Sequence, residues 1–243
     1  MEALKANIIA QLKKDILSFQ GFKKILDPVG PDVLPIAIKN AFPNAQFPLA
    51  AVHEFIYASS EERAATVGFV SGILASIMRK GGVCIWINSS KAIFAPALKL
   101  FGVAPEKMIF ITLKKEKEIL WALEEALKCE GLAAVIGEMQ DLSFTVSRRL
   151  QLAVEKSQVT GFIFRNRPRS LNITAFISRW KIFPVPGEFD DDMPGVAFPR
   201  WKVELLKVRN GKTGSWDIEF ANGHFRHIAN INAISLAQQK KTG

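Results

Sequence analysis

A turn with two serines and several charged side chains follows the first long apolar run of the chain, and it is the place to look for phosphate chemistry. Its candidate nucleotide-binding residues are Ser59, Ser60, Arg63 and Ala64. A P-loop needs glycines whose N–H groups surround phosphate, a Lys for the β- and γ-phosphates, and a Ser or Thr for Mg²⁺. Here Tyr57 and Glu62 replace glycines. Arg63 replaces the Lys and Ala64 replaces the hydroxyl, so the sequence predicts a degenerate loop, with ATP and magnesium not favoured as cofactors.

A basic cluster near residue 165 has side chains that suit phosphate oxygens or an acidic protein surface. The cluster comprises Arg165, Asn166, Arg167 and Arg169. Guanidinium groups bind phosphate oxygens in bidentate geometry, so the cluster is a candidate contact for single-stranded DNA. No aromatic residue lies within it to stack on bases, and a solvated loop or a protein-docking surface explains the same residues.

A second basic pair, Arg148 and Arg149, lies in a segment whose apolar residues have helical spacing. The pair is a further candidate for DNA or partner contact. The alternative is that both side chains flank the buried stripe of a helix or pair with Glu155 and neighbouring acids. Long basic side chains often extend over apolar surface, so this alternative is favoured.

The positive charge of the chain is concentrated in its last third. The 243 residues include 32 basic and 23 acidic side chains, which gives a net charge of +9, and residues 161–243 hold 13 of the basic and 7 of the acidic ones. Such a field favours nucleic acid, an anionic membrane surface or an acidic partner. A content of 49% hydrophobic residues predicts a packed core and excludes a disordered or fibrous protein.

The cysteines, histidines and apolar runs bear on redox compartment, metal binding and membranes. Cys84 and Cys129 have no CxxC partner, so neither a disulfide scaffold nor a zinc site is indicated. The three histidines have no accompanying carboxylates at metal-ligand spacing, so no metal site is predicted. No run of about 18 apolar residues and no signal peptide is found. These patterns predict a cytoplasmic protein that does not contact a membrane.

The elements that must position these candidates alternate regularly along the chain. Apolar runs alternate with segments of helical periodicity, which predicts an α/β fold with a mainly parallel sheet flanked by helices. The runs lie at 52–57, 83–87, 108–113, 132–136 and 161–164, and the helices lie at about 61–79, 91–101, 115–128 and 144–156. Later strand-like segments at 172–182, 201–209 and 215–220, the last two joined near Asn210-Gly211, predict antiparallel strands near the C-terminus.

The chain divides into three predicted parts. Residues 1–46 hold an amphipathic helix at 4–19 and a proline-rich arm, because six prolines and glycines between 27 and 48 disfavour regular structure. Residues 47–220 form the core. Residues 221–243 form a tail that is expected to contain a short helix and a basic end.

Several sequence tracts, in this order, resemble the ImuA family, and the order of elements resembles the RecA-like ATPase core. The tracts are 47–55, 84–87, 120–129, 131–138, 147–153, 159–161, 178–180 and 199–205. Together they cover about residues 47–220. The resemblance implies a RecA-like core with a degenerate P-loop, also similar to the cell-division inhibitor SulA.

The same resemblance implies a role in DNA repair but no reaction. Members of the family are accessory proteins of a damage-inducible, SOS-type mutagenesis cassette for translesion synthesis. The implied partners are an ImuB-like polymerase relative, an error-prone polymerase and RecA, with single-stranded DNA and self-association as further candidates.

The resemblance also says where a RecA-like ATPase would keep its acids. At the end of the fourth strand this chain has Glu138, with Asp141 nearby, as a weak alternative magnesium site. Asn88 and Ser89 follow the second strand, where the catalytic glutamate is expected. The leading hypothesis is therefore a non-catalytic adaptor. The alternatives are a divergent ATPase, with Arg63 in the role of the Lys, and a SulA-like inhibitor of cell division.

Overall fold

The computed structural model of the chain describes residues 33–79, 81–89, 93–187 and 198–228. The strands are β1 Val52–Tyr57, β2 Val83–Asn88, β3 Met108–Thr112, β4 Leu132–Met139, β5 Thr160–Asn166, β6 Ser178–Val185, β7 Arg200–Val208, β8 Gly214–Ala221 and β9 His224–His227. The helices are α1 Ile36–Lys39, α2 Ser60–Met78, α3 Glu116–Leu127 and α4 Phe144–Ser157. Short 3-10 helices occupy Pro43–Ala45, Ala95–Phe101 and Pro105–Lys107.

The nine strands form one sheet in the order β3-β2-β4-β5-β1-β6-β7-β8-β9. The first six of these pair in parallel, and β7, β8 and β9 add antiparallel strands at one edge. The predicted α/β class, with a mainly parallel sheet, flanking helices and antiparallel strands near the C-terminus, is confirmed. Strand β1 lies between β5 and β6, in the middle of the sheet. The turn that follows β1 is therefore central among the loops at the carboxyl ends of the parallel strands.

Helices cover both faces of the sheet, which explains why the parallel strands are uniformly apolar. One face packs Phe55, Phe69 and Trp180 into a cluster that also takes in the buried side chains of residues 33–42. The other face packs α3 and α4 through residues such as Leu123 and Leu150. All six residues of β1 are buried, so any polar side chain on this strand needs an internal partner.

His53 on β1 has such partners. The Trp180 indole donates to Ser178 Oγ at 2.7 Å, and Ser178 Oγ lies 2.6 Å from His53 Nδ1. His53 Nε2 lies 2.7 Å from the Pro48 carbonyl, which only accepts, so Nε2 carries the proton and Nδ1 accepts from Ser178. Burial lowers the pKa of His53 to about 4, although the bond to Pro48 opposes this effect.

Two local predictions are wrong. The strand expected from residue 172 begins at Ser178, and the segment expected to be helical from residue 91 is a 3-10 helix at Ala95–Phe101. The first part of the tail continues the sheet, since His224–His227 pair with β8, and the expected short helix stays a prediction. The predicted helix at 4–19 and the far end of the tail lie outside the described residues.

Within the described part of the chain, no helix has the length and apolar character required to span a membrane.

Candidate functional site

A cavity of about 630 Å³ lies at the carboxyl ends of the central parallel strands. Its lining comes from the ends of β1, β2, β4 and β5, the first turns of α2 and α3, and the loops between them: Tyr57, Ser60, Arg63, Ser89, Lys114, Glu116, Ile119, Glu138, Met139, Gln140, Asn166 and Arg167. Ligands of open parallel sheets bind at this edge. The cavity therefore stands where a nucleotide would be expected, and its lining includes five predicted residues: Ser60, Arg63, Glu138, Asn166 and Arg167.

The N-terminus of α2 is closed by side chains of its own turn. Ser59 Oγ accepts the N–H of Glu62 at 3.2 Å, and the Glu62 carboxylate accepts the N–H of Ala58 at 2.8 Å. A reciprocal arrangement of this kind satisfies the free N–H groups of a first helical turn. In a P-loop those groups bind phosphate. Here Glu62 places a carboxylate beside them, and Lys181 lies 3.7 Å from it as counterion.

Arg63 and Glu138 form an ion pair across the cavity wall. The distance from Arg63 Nη2 to Glu138 Oε1 is 2.7 Å, with side-chain exposures of 19% and 10%. The Trp86 indole donates to the same carboxylate oxygen at 3.2 Å. The cation at the position of the P-loop Lys and the acid predicted as a magnesium ligand therefore neutralise each other. Burial acts against the charge of Arg63, but Glu138 outweighs it and raises the pKa of Arg63.

Tyr57 lies behind this pair at the end of β1. Burial is the main cause that raises the pKa of Tyr57 to about 12, and the negative charge of Glu138 adds to it. Arg63 opposes the rise through its charge and a hydrogen bond. The phenol is thus a neutral wall of the cavity at physiological pH, in the place of a P-loop glycine.

The remaining predicted acid, Asp141, is separate from Glu138 in its interactions. Asp141 Oδ1 accepts the N–H of Arg169 at 3.1 Å, and its other oxygen lies 3.4 Å from Arg169 Nε. The weak alternative of a magnesium site formed by Glu138 and Asp141 thus has each carboxylate already bound to an arginine. No group of three metal-ligating side chains lies together within the described ranges.

Asn88 lies at the end of β2, next to the place where the resemblance to RecA-like ATPases leads one to expect a catalytic glutamate. Its side-chain oxygen accepts the Thr112 hydroxyl at 3.1 Å and so joins the ends of β2 and β3. An amide cannot act as a general base towards water. The end of β2 therefore holds a structural hydrogen bond.

Arg165 does not contribute to a surface, so its predicted role in DNA or partner contact is wrong. Its side chain is fully buried, and Arg165 Nη1 binds Glu54 Oε1 at 2.6 Å. Arg179 on β6 binds the other oxygen of Glu54 at 2.7 Å, and the Thr174 hydroxyl donates to that oxygen at 3.2 Å. Strands β5, β1 and β6 are adjacent, which brings the two arginines to either side of Glu54. Burial forces this pairing, because an unpaired charge inside the sheet is too costly.

Basic side chains also bind the backbone of the loop at 167–177, between β5 and β6. Arg165 donates to the carbonyl of Ser170 and Arg179 to that of Asn172. Lys207 and Arg209 on and after β7 donate to carbonyls within 174–176. These bonds explain why 172–177 is not a strand, since its carbonyls are satisfied by side chains. They also show that part of the C-terminal positive charge is structural.

The other predicted basic residues stay at the surface. Arg167 is exposed, and its Nε donates to the carbonyl of Ala58, while Arg169 is exposed beside Asp141. Asn166 ends β5 and faces the cavity. Arg149 pairs with Glu124 of α3, not with Glu155, and Arg148 is exposed on α4. Burial lowers the pKa of Arg209; the charge of Glu155 opposes this effect and the charge of Arg148 adds to it.

Sequence reasoning missed the Glu54 cluster, although one signal pointed to it. Glu54 is the only charged residue in the apolar run 52–57, and Arg165 closes another apolar run. A charge inside a run that must be buried on both faces requires an opposite charge on a neighbouring strand. That rule identifies Glu54 and Arg165 as partners once β5 is placed beside β1.

The chain has relatives among known proteins. No protein-family model matches it. Protein ImuA of Caulobacter vibrioides strain NA1000 / CB15N is 34% identical to it over 204 residues, which cover 79% of this chain and 84% of that protein. Protein ImuA of strain ATCC 19089 / CIP 103742 / CB 15 matches to the same extent. The similarity extends over most of both chains, so it is not confined to one motif.

Proposed function

The chain belongs to the ImuA family, and we propose that it is a non-catalytic, RecA-like adaptor in damage-induced, error-prone translesion DNA synthesis. In this role it binds an ImuB-like polymerase relative, an error-prone polymerase and RecA. The role resides in the core of residues 47–220, and the arm 1–46 and the tail 221–243 each add a segment to that core, residues 33–42 and β9.

One observation carries the non-catalytic part of the proposal. The Arg63–Glu138 ion pair and the Ser59–Glu62 cap occupy the groups that would otherwise hold a nucleotide and its metal. A phosphate at the N-terminus of α2 would meet the Glu62 carboxylate, and a phosphate inside the cavity would have to displace Glu138 from Arg63. Both steps oppose the binding of a triphosphate.

The first experiment addresses nucleotide binding. Thermal unfolding of the full chain is followed with and without millimolar ATP and Mg²⁺. A nucleotide present at about 100 times its Kd would stabilise the fold by about 2.7 kcal/mol. We expect no rise in Tm. A rise would favour the divergent ATPase, for which the cavity leaves room.

The second experiment addresses the adaptor role in the cell. Deletion of the gene is expected to abolish damage-induced mutagenesis, and the wild-type chain and the Glu138→Gln variant are expected to restore it equally. Co-purification of the chain with the ImuB-like protein is measured in parallel. Unchanged mutagenesis after deletion would contradict the role, and division filaments on overexpression would favour the SulA-like alternative.

A further inference from the structure

The β5–β6 loop, residues 167–177, exposes two aliphatic side chains on a fixed backbone. Leu171 is 58% exposed and Ile173 is 78% exposed, although the residues that follow them, 174–180, are buried. Exposed aliphatic side chains on a loop are hydrated unfavourably and gain no packing contacts in return. Such side chains indicate a binding surface when the backbone that carries them is held in one conformation.

That backbone is held by hydrogen bonds from the interior. Arg165 Nη2 donates to the Ser170 carbonyl at 3.3 Å, and Arg179 Nη2 donates to the Asn172 carbonyl at 2.6 Å. Lys207 donates to the Thr174 carbonyl as well. Leu171 and Ile173 thus alternate with the anchored residues 170, 172 and 174. Their side chains are presented without the entropy cost that a free loop would pay on binding.

Helix α4 continues this surface. The N–H of Ala175 donates to Ser147 Oγ at 2.9 Å, so the loop crosses the first half of the helix. Phe144, Arg148 and Leu152 are spaced four residues apart on one stripe of α4, next to Ser147. Phe144 is 48% exposed and Leu152 is 52% exposed. We call Leu171, Ile173, Phe144, Arg148 and Leu152 the loop–helix surface.

Two exposed arginines of these elements, Arg148 and Arg167, have no acidic partner among the ion pairs described above. The exposed Arg149 and Arg169 are paired with Glu124 and Asp141. Aliphatic anchors beside Arg148 and Arg167 are complementary to a segment that combines aliphatic and acidic residues.

We propose that the loop–helix surface docks an acidic, aliphatic-rich segment of a partner protein. The inference rests on the adaptor function proposed above and gives that function a surface and a ligand chemistry. Leu171 and Ile173 are the anchors, and Arg148 supplies the charge that selects acidic sequences. Single-stranded DNA is disfavoured, because Phe144 is the one ring that this surface offers for base stacking and both loop anchors are aliphatic.

The test uses a phage-displayed library of random 12-residue peptides selected on the full chain. We expect enriched peptides to contain both aliphatic and acidic residues. A synthetic, fluorescein-labelled copy of an enriched peptide is then titrated with the chain by anisotropy. The double variant Leu171→Ser, Ile173→Ser is expected to weaken its binding by about tenfold or more. Arg148→Ser is expected to weaken binding and to reduce its dependence on salt.

Ile36→Ser is the matched control, because Ile36 is a similarly exposed aliphatic residue on α1. It is expected to bind the peptide as the wild type does. Circular dichroism and Tm verify that each variant is folded. Absence of enrichment, or equal binding by the double variant, would overturn the proposal. So would loss of oligo(dT) binding or of self-association in the double variant without any peptide binding.

The two proposals can fail separately. If the double variant loses peptide binding and the gene deletion leaves induced mutagenesis unchanged, the docking surface stands and the adaptor role falls. If induced mutagenesis requires the chain but is normal in the double variant that lacks peptide binding, the adaptor role stands without this surface.

Discussion

Two arginine–glutamate contacts on the same sheet differ in their access to solvent. Arg63 and Glu138 meet at the wall of an open cavity and keep 19% and 10% of their side-chain exposure. Glu54 lies between Arg165 and Arg179, where Glu54 and Arg165 have none. The Arg63–Glu138 contact engages side chains that would otherwise be available to bind a charged ligand. The second holds three strands and a loop together, so the same chemistry closes a site in one place and builds the fold in another.

The difference lies in the strands that carry the acids. Glu54 is on β1, which has a parallel neighbour on each side, so its carboxylate can receive a guanidinium from both. Glu138 is near the end of β4, beside the cavity, and has one arginine and an indole N–H. A buried carboxylate with a guanidinium on each side, such as Glu54, stabilises the fold. A partly exposed carboxylate, such as Glu138, can still be displaced from its arginine.

The largest expected effect comes from removing one arginine from each contact. Arg165→Met leaves Glu54 buried with one cation fewer and should lower the free energy of unfolding by about 3–5 kcal/mol. Arg63→Met leaves Glu138 next to the cavity and solvent, and should cost only about 1–2 kcal/mol. Urea unfolding measured by tryptophan fluorescence compares the two variants. An equal cost would contradict the distinction between them.

A triple variant sharpens this result. Glu54, Arg165 and Arg179 are all replaced by Met, which removes the charges without leaving one unpaired. Buried ion triads replaced by apolar residues often lose little stability. The triple variant is therefore expected to have a higher free energy of unfolding in urea than Arg165→Met, and a lower one would show that the bonds of both arginines to loop carbonyls dominate.

The second effect is acid destabilisation through His53, on the opposite face of β1 from Glu54. The folded pKa of about 4 lies below the unfolded value of 6.5, so the unfolded chain binds the proton more tightly. Stability is complete above pH 6.5 and should fall by about 3 kcal/mol as the pH decreases to about 4. Urea midpoints between pH 7 and 4 measure the loss. His53→Gln should flatten this slope, while the exposed His227→Gln should not.

The sequence predicted the sheet better than the site, and the reason lies in the range of the interactions. The run 52–57 matches β1 because apolar composition and β-propensity are local properties. The burial of Arg165 depends on Glu54, 111 residues earlier, and the shape of 172–177 depends on Lys207 and Arg209. Ser59, Glu62 and Arg63 were identified from local chemistry, and the hydrogen bonds of Ser59 and Glu62 are local, but Arg63 binds Glu138, 75 residues away at the end of β4.

A smaller effect is expected on the pKa of Tyr57, the single tyrosine of the chain. The charge of Glu138 contributes to its pKa of about 12, so Glu138→Gln should lower that pKa. Arg63→Met removes the positive charge that stabilises the phenolate and should therefore raise the pKa of Tyr57. Phenolate absorbance at alkaline pH reports Tyr57 alone. An unchanged titration in both variants would mean that the ion pair does not reach the phenol and that the cavity is more open than described.

The smallest effect is expected at the helix surface. Arg149 is 55% exposed and pairs with Glu124 across α3 and α4. Exposed ion pairs contribute about 0–1 kcal/mol, so Arg149→Ala should change the free energy of unfolding by less than about 1 kcal/mol. Urea unfolding in low and high salt tests this. A loss as large as that of Arg63→Met would place Arg149 with the cavity contact instead of with ordinary surface charges.

The central place of β1 has a consequence for synthesis on the ribosome. Glu54 meets Arg179 across 125 residues of chain, so the strand made early gains its second neighbour only when β6 emerges. At about 5–20 residues per second this delay lasts roughly 6–25 s. For most of that interval both edges of this apolar strand are open, because β5 and its Arg165, the first partner of Glu54, follow 111 residues after Glu54. The order of translation thus leaves the central strand of the sheet unpaired until β5 and β6 have been made.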